Sequence, residues 1–290
     1  MGQPARRTAR RRRLGAEIKE ARVAAGVTPE QAARAIHGDK SKISRIETGR
    51  HRVSRLELET LMDLCRIHDP QKREWLVALS TEGHRRSWWR RHGDVLQPDF
   101  KELLTLEEDA ERISAFQTQV LPGLVQTKNY ATSVIRSSDP TLSDDHLEFF
   151  ADFRVQRQAV LDRENPPSYL CIVTEGVLRQ QVGGPEVMAE QLGYLVKSSQ
   201  RPNVTIRVIP FEQPGYTGTS GSFVLYSYPD PLDLDVVQVE YLDGALYLEE
   251  DESVKKYRHS LDLLRESALP APESIDLISK IARDLVPQRK

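Results

Sequence analysis

A mainly α-helical chain with an α+β C-terminal domain is the fold class predicted by this sequence: a five-helix N-terminal bundle, followed by helices and a small mixed β-sheet. Three observations predict it. Apolar residues recur at helical spacing between capping signals up to about residue 80, four runs rich in β-branched and aromatic residues lie between 169 and 241, and helical periodicity returns from 252. The 290 residues suffice for two packed units, and 39% hydrophobic with 29% charged residues suits a chain that folds in water. A mean hydropathy of −0.51 and the absence of any long apolar run argue against a membrane span.

The elements follow from local chemistry. Leu14, Ile18, Ala21 and Ala25 repeat on one helical face, and Gly26 ends that helix. Thr28, Pro29 and Gln31 supply an N-cap, a first-turn proline and the third member of a capping box, opening a second helix that runs to Ile36 with Ala32 and Ala33 inward. His37 and Gly38 turn the chain. Asp39 caps a third helix, Lys40 to Thr48, with Ile43 and Ile46 facing the core and Gly49 as the stop. Ser54 and Glu57 form another capping box before Leu58, Leu61, Leu64 and Cys65, and Asp69-Pro70 opens a fifth helix reaching towards Trp88-Trp89.

Beyond Gly93, residues 105–135 and 143–161 read as helices, broken at Leu121-Pro122-Gly123 and Ser138-Asp139-Pro140. Strands are expected at 169–174, 204–209, 222–228 and 235–241, a helix at 185–199, and closing helices at 252–267 and 272–285. The domain boundaries expected are a basic disordered arm at 1–13, a helix-turn-helix unit with connecting helix at 14–92, and an α+β unit at 93–290.

Net charge is only −2, yet residues 1–92 hold 22 Lys and Arg against 11 Asp and Glu, a net +11, leaving −13 for the remainder. Such asymmetry points to a polyanion as partner of the N-terminal part. Two short helices joined by a tight turn inside a bundle form a helix-turn-helix, whose second helix enters a major groove. With Ile43 and Ile46 inward, Lys40, Ser41, Lys42 and Arg45 cover the outer and leading face of that helix. Arginine and lysine suit guanine O6 and N7, and the positive helix N-terminus favours a nearby phosphate. Arg50 and Arg52 follow for backbone contacts, Thr28 stands at the second helix's start, and Arg10, Arg12 and Arg13 belong to the arm, which can reach phosphates or a minor groove.

The strings Val27-Thr28-Pro29-Glu30-Gln31-Ala32-Ala33 and Ile43-Ser44-Arg45-Ile46-Glu47-Thr48-Gly49 resemble the helix-turn-helix domains of the xenobiotic-response-element type, related to phage repressors, over residues 14–68. The sequence departs from that pattern at Pro29, where glutamine is usual, and at Gly38, where a small aliphatic residue is usual. Trp88-Trp89, Leu106-Glu107 with Ala110, Leu121 to Thr127 with Tyr130-Ala131, Arg154-x-x-Arg157-Gln158, and Val187-Met188 with Gln191-Leu192 resemble the C-terminal domain of actinobacterial antitoxin-like regulators. That resemblance implies a transcription regulator with a sensing or protein-binding domain, often encoded beside a small partner protein.

Other features have plainer readings. Glu47 is expected to tie to a nearby arginine, and Trp75 to pack rather than stack on bases. Arg154, Arg157 and Gln158 share one helical face, either clamping an acidic group or pairing with Glu148 and Asp162. Gly215, Gly218 and Gly221 lack the Gly-Lys-Ser/Thr of a P-loop and read as a mobile hairpin loop. Glu175 and Glu240 are the best carboxylate pair for an enzyme, each with a salt bridge as the simpler role. The seven histidines are dispersed, no metal-binding spacing occurs, and Cys65 and Cys171 read as buried thiols, so neither catalysis nor a cofactor is expected.

Together these features lead to the expectation of a sequence-specific regulator that binds double-stranded DNA as a homodimer, across half-sites about 34–36 Å apart. Its C-terminal domain would receive a small-molecule or protein signal. The competing expectation is an antitoxin-like protein that sequesters a small partner and autoregulates its promoter. Met1 to Arg13 has no apolar segment behind it, so a cytoplasmic protein, nucleoid-associated when on DNA, is expected.

Overall fold

A computed structural model describes residues 9–80, 98–218, 221–228, 235–242 and 244–285. The chain divides into two compact units, one running up to Asp109 and including Tyr228, the other Ala110–Ser227 with the residues from Asp235 onward.

The first unit is all-helical. It contains α1 (Ala9–Ala24), α2 (Pro29–Ala35), α3 (Lys40–Glu47), α4 (Arg55–Leu64), α5 (Pro70–Ser80) and α6 (Pro98–Asp109). Both expected capping boxes form: the Thr28 hydroxyl accepts from Gln31 N while Gln31 Oε1 accepts from Thr28 N, and Ser54 and Glu57 do the same. Each satisfies helix-end N–H groups that have no intrahelical partner. Leu14, Ile18, Ala32, Ile43, Ile46, Leu58, Leu61, Met62, Leu76 and Leu79 are buried and make the core.

The first helix departs from expectation. It begins at Ala9, so Arg10 to Arg13 are turns of α1 rather than a disordered arm, and Met1 to Thr8 lie outside the described residues. The cause is α6: Glu102, itself 6% exposed, accepts from Arg12 Nη2 at 3.1 Å and attracts Arg11. A carboxylate buried against this stretch gives the arginines a reason to be helical. The compact unit runs through α6 to Asp109. The expected run of α5 into Trp88-Trp89 falls outside the described residues.

The second unit is built on a six-stranded mixed sheet of β1 (Arg112–Gln117), β2 (Ser168–Thr174), β3 (Val204–Ile209), β4 (Phe223–Ser227), β5 (Val236–Tyr241) and β6 (Gly244–Leu248). Its order is β3-β2-β1-β4-β5-β6, with β1–β2 and β2–β3 parallel and the other pairs antiparallel. Its helices are α7 (Lys128–Ser138), α8 (Asp144–Arg157), α9 (Glu175–Arg179), α10 (Pro185–Ser198), α11 (Asp251–Ser267) and α12 (Ala271–Leu285), with 3-10 turns at Gly123–Val125 and Gln158–Asp162. Val254, Leu261 and Leu264 of α11 pack with Phe116, Ile172, Phe223, Leu225 and Val237 of the sheet.

Strand β1 corrects the expected helix. Ile113, Ser114, Ala115 and Phe116 are all buried, so a strand covered on both faces shows no alternation, and serine and alanine carry little strand propensity. It sits at the middle of the sheet, with parallel β2 on one side and antiparallel β4 on the other. The edge strand β6 and the one-turn helix α9 were not expected either. The expected mobile loop is partly anchored: Gly218 adopts φ +94° with no room for a Cβ above the Phe116 ring, and Thr217 Oγ1 donates to Ser260 O at 3.2 Å.

Candidate nucleic-acid interface

Helix α3 is positioned from within. Ile43 and Ile46, 1% and 2% exposed, fix its rotation and leave Ser41, Ser44 and Arg45 on the solvent side. The turn before it holds His37 at φ +52°, and Gly38 N donates to Ala33 O at 2.8 Å. Asp39 Oδ1 accepts from Lys42 N at 2.6 Å. The helix N-terminus thus already holds a carboxylate, and phosphate capture there, expected from the helix dipole, meets a group of the same charge.

The far end of α3 is clamped to α1. Glu47 accepts from Arg22 Nε at 2.5 Å and Nη2 at 3.1 Å, a two-point contact with both side chains under 10% exposed. Arg22 Nη1 also donates to Val27 O at 2.8 Å. The hydrogen bonds to Glu47 raise the Arg22 guanidinium above its ordinary value against the opposing effect of burial. This is the tie expected of Glu47. Gly49 takes φ +69° after the helix, where a Cβ would lie 3.0 Å from the Arg11 and Arg12 backbone.

The ten expected contact residues separate into groups. Arg45 and Arg50 are exposed, and neither makes a side-chain hydrogen bond or ion pair among the described residues. Ser41 is exposed between two cations already engaged: Lys40 Nζ pairs with Glu30 at 2.7 Å, and Lys42 Nζ, half-buried, with Glu57 at 2.5 Å. Arg52 is exposed beyond α3. Thr28 serves the cap of α2. Arg12 pairs with Glu102, and Arg13 pairs with Glu17 at 3.2 Å and lies over the Trp75 ring at 5.8 Å. Only the backbone of Arg10 is described, within α1. The expected set omits Ser44, which the inward isoleucines place beside Arg45; its position one residue after Ile43 was a readable signal.

The carboxylates considered for catalysis are not a pair. Glu175 and Glu240 follow or end β2 and β5, which run in one direction but stand three strand spacings apart, about 14 Å. Glu175 is 4% exposed and accepts from Arg179 Nε at 2.6 Å and Phe211 N at 2.9 Å, while exposed Glu240 accepts from Gln238 Nε2 at 3.0 Å. Cys65 and Cys171 are free and buried, and burial pushes the Cys171 thiol up to about 12. Among the described residues no group of three or more His, Cys, Asp or Glu can hold a metal ion, and no helix is long and apolar enough to cross a membrane.

Comparison with known families finds two domains, the second of which begins within α6 rather than after it. A model described as a helix-turn-helix domain matches residues 13–76, and one described as a domain of unknown function (DUF5753) matches residues 100–280. No curated protein and no solved structure matches the chain.

Proposed function

This chain belongs to the DUF5753 family, and from that membership together with the helix-turn-helix domain ahead of it we propose a sequence-specific, DNA-binding transcription regulator. The C-terminal α+β unit is its signal-receiving part. The observation that carries the reading is Arg45, exposed and, among the described residues, unpaired on a helix whose other face is locked into the core. A guanidinium held this way offers a bidentate fork to guanine, while Arg50 and Arg52 supply phosphate contacts. Ser41 adds a permissive hydroxyl. Lys40 and Lys42 join by exchanging Glu30 and Glu57 for phosphate or base, and Arg10, Arg12, Arg13 and Thr28 support the backbone-facing side. A homodimer acting in the cytoplasm, nucleoid-associated when on DNA, completes the proposal.

Selection from a random duplex library at about 0.15 M salt, where screening is physiological, tests it with wild type beside Arg45→Ala. An inverted repeat recovered by wild type, with one position per half-site relaxed in the variant, supports dimeric readout by α3. Recovery of no motif by wild type overturns it.

A second reading, an antitoxin-like protein that sequesters a small partner encoded nearby and autoregulates its promoter, is favoured by the β5–β6 hairpin. Tyr241, Leu242 and Leu246 are more than half exposed there, on the outermost strand pair of the sheet. Apolar contacts survive high salt whereas phosphate contacts weaken, so a partner that stays bound at 1 M salt selects this reading.

A further inference from the structure

Lys40, Lys42 and Arg12, all expected at the DNA, each hold a carboxylate of another helix, and the three ties differ in how easily they open. Lys40 and Glu30 are both more than half exposed, so water screens the pair. The Lys42 and Glu57 side chains are 24% and 19% exposed. Arg12 and Glu102 are unlike either. The Arg12 side chain is 28% exposed, whereas that of Glu102 is 5% exposed and accepts from Arg12 Nη2 at 3.1 Å. The cation stands at the surface and the anion beneath it. A phosphate that drew Arg12 away would leave Glu102 ionised with little access to water, which is strongly unfavourable. Leu103, Leu104 and Leu106 are buried as well, so Glu102 is displaced with α6 as a body. Arg12 is therefore freed by a movement of α6 rather than by the arrival of DNA.

The position of the pair ties it to the proposed interface. A Cβ on Gly49 would lie 3.0 Å from the carbonyl of Arg11 and the amide of Arg12, so the first turns of α1 pass against the turn that ends α3 and leads into Arg50 and Arg52. Burial pulls the Arg11 guanidinium below its ordinary value, and the attraction of Glu102 opposes that shift. The opposite end of α6 leads to the sheet. After Asp109 the chain passes through Ala110 and Glu111 into β1, and Tyr228, the residue after β4, donates its hydroxyl to Leu106 O at 3.3 Å. Strands β1 and β4 are the paired middle strands of the six.

We propose that α6 is an autoinhibitory latch: Glu102 withholds Arg12 from the phosphate backbone, and a shift of α6, driven through the β1–β4 pair, releases it. The latch rests on the DNA-binding reading given above and supplies its regulation. Once released, Arg12 adds one charge-assisted phosphate contact beside the turn that carries Arg50.

Glu102→Asp tests the latch because it keeps the charge and draws the carboxylate back by one methylene, so a gain in DNA affinity cannot come from lost repulsion. Glu102→Gln, Arg12→Gln and the two double variants complete the set. Anisotropy titrations of the full chain on a mixed-sequence duplex, at several salt concentrations, read phosphate contacts without a known operator. Each Glu102 variant is expected to bind several-fold more tightly than wild type, with a log–log salt slope steeper by about 0.9, and to lose that gain when Arg12 is glutamine. Urea midpoints of the same proteins need no DNA: a Glu102 variant combined with Arg12→Gln should cost less than the two single substitutions added. Either Glu102 variant suffices, so the test survives if one does not fold.

Wild type that binds duplex, with neither Glu102 variant binding more tightly, overturns the latch and leaves the DNA-binding reading standing. A gain that persists in full with Arg12→Gln overturns it as well, since the effect then bypasses Arg12. Additive urea midpoints overturn it whatever the DNA result. Wild type that binds no duplex overturns the DNA-binding reading and the latch with it.

Discussion

Lys42 Nζ donates to Glu57 Oε1 at 2.5 Å while Glu57 Oε2 accepts from Ser54 N at 2.8 Å, so one carboxylate both caps α4 and holds a cation of α3. Lys42 therefore reaches DNA only by giving up Glu57. Replacing Glu57 by glutamine keeps a side chain suited to the capping box and removes the charge that retains Lys42. Glu57→Gln is expected to bind duplex DNA more tightly, with a salt dependence steeper by about 0.9 in log–log slope for the one added phosphate contact. Anisotropy titrations at several salt concentrations measure this, and an unchanged slope would exclude Lys42 from the phosphate contacts.

The same carboxylate sets a pH dependence. Burial alone would raise it, but the hydrogen bonds from Lys42 and Ser54 outweigh burial and hold it below its ordinary value. The folded state thus gives up this proton more readily than the unfolded state. Its stabilisation is complete above the unfolded value of about 4.3 and is lost as pH falls through the depressed folded value. All three tryptophans lie between 75 and 89, so intrinsic fluorescence follows this part of the chain. Urea midpoints by fluorescence should fall more steeply below about pH 4.5 in wild type than in Glu57→Gln; parallel profiles would assign the acid sensitivity elsewhere.

Glu47 acts on the same helix from its other end. Its two hydrogen bonds with Arg22 are under 10% exposed, and removing one partner leaves the other charge buried alone. Glu47→Ala is expected to cost about 3–5 kcal/mol, the range for breaking a buried pair, well above the ~1 kcal/mol ceiling of a surface one. Fluorescence-detected urea unfolding gives the value directly, and a loss below about 1 kcal/mol would mean that the pair behaves as a surface contact.

What the sequence made legible was local. The boxes at Thr28 and Ser54, the cap at Asp39 and the stop at Gly49 are each decided within four residues, and all of them form. Strand β1 was not legible because its identity comes from β2 and β4, whose closest paired residues lie more than 50 positions away. The same holds for the ion pairs. Glu47 shows in the sequence as an acid on a basic surface, but the ties of Lys42 to Glu57, Arg12 to Glu102 and Asp162 to Arg201 join helices or turns whose packing no local pattern announces. Candidate contact residues were therefore legible as a face of α3, and their availability was not.

Gly15 gives the sharpest test of how α1 and α3 pack. A Cβ there would lie 2.5 Å from Ile46 O and 2.6 Å from Glu47 O, backbone atoms of α3 that have no side-chain freedom with which to yield. Helix propensity alone favours alanine over glycine by about 1 kcal/mol. Crowding acts oppositely, and overpacking of this kind costs about 1–3 kcal/mol, so Gly15→Ala is expected to destabilise. Gly193 in α10 is the control: a Cβ there meets nothing within 4 Å, and Gly193→Ala should stabilise by about 0.4–1 kcal/mol. Scanning calorimetry of the two variants reads both signs. Stabilisation by both would mean that α1 and α3 do not approach this closely, and Gly15→Ala should also weaken DNA binding, because it displaces the end of α3 that Arg22 and Glu47 secure.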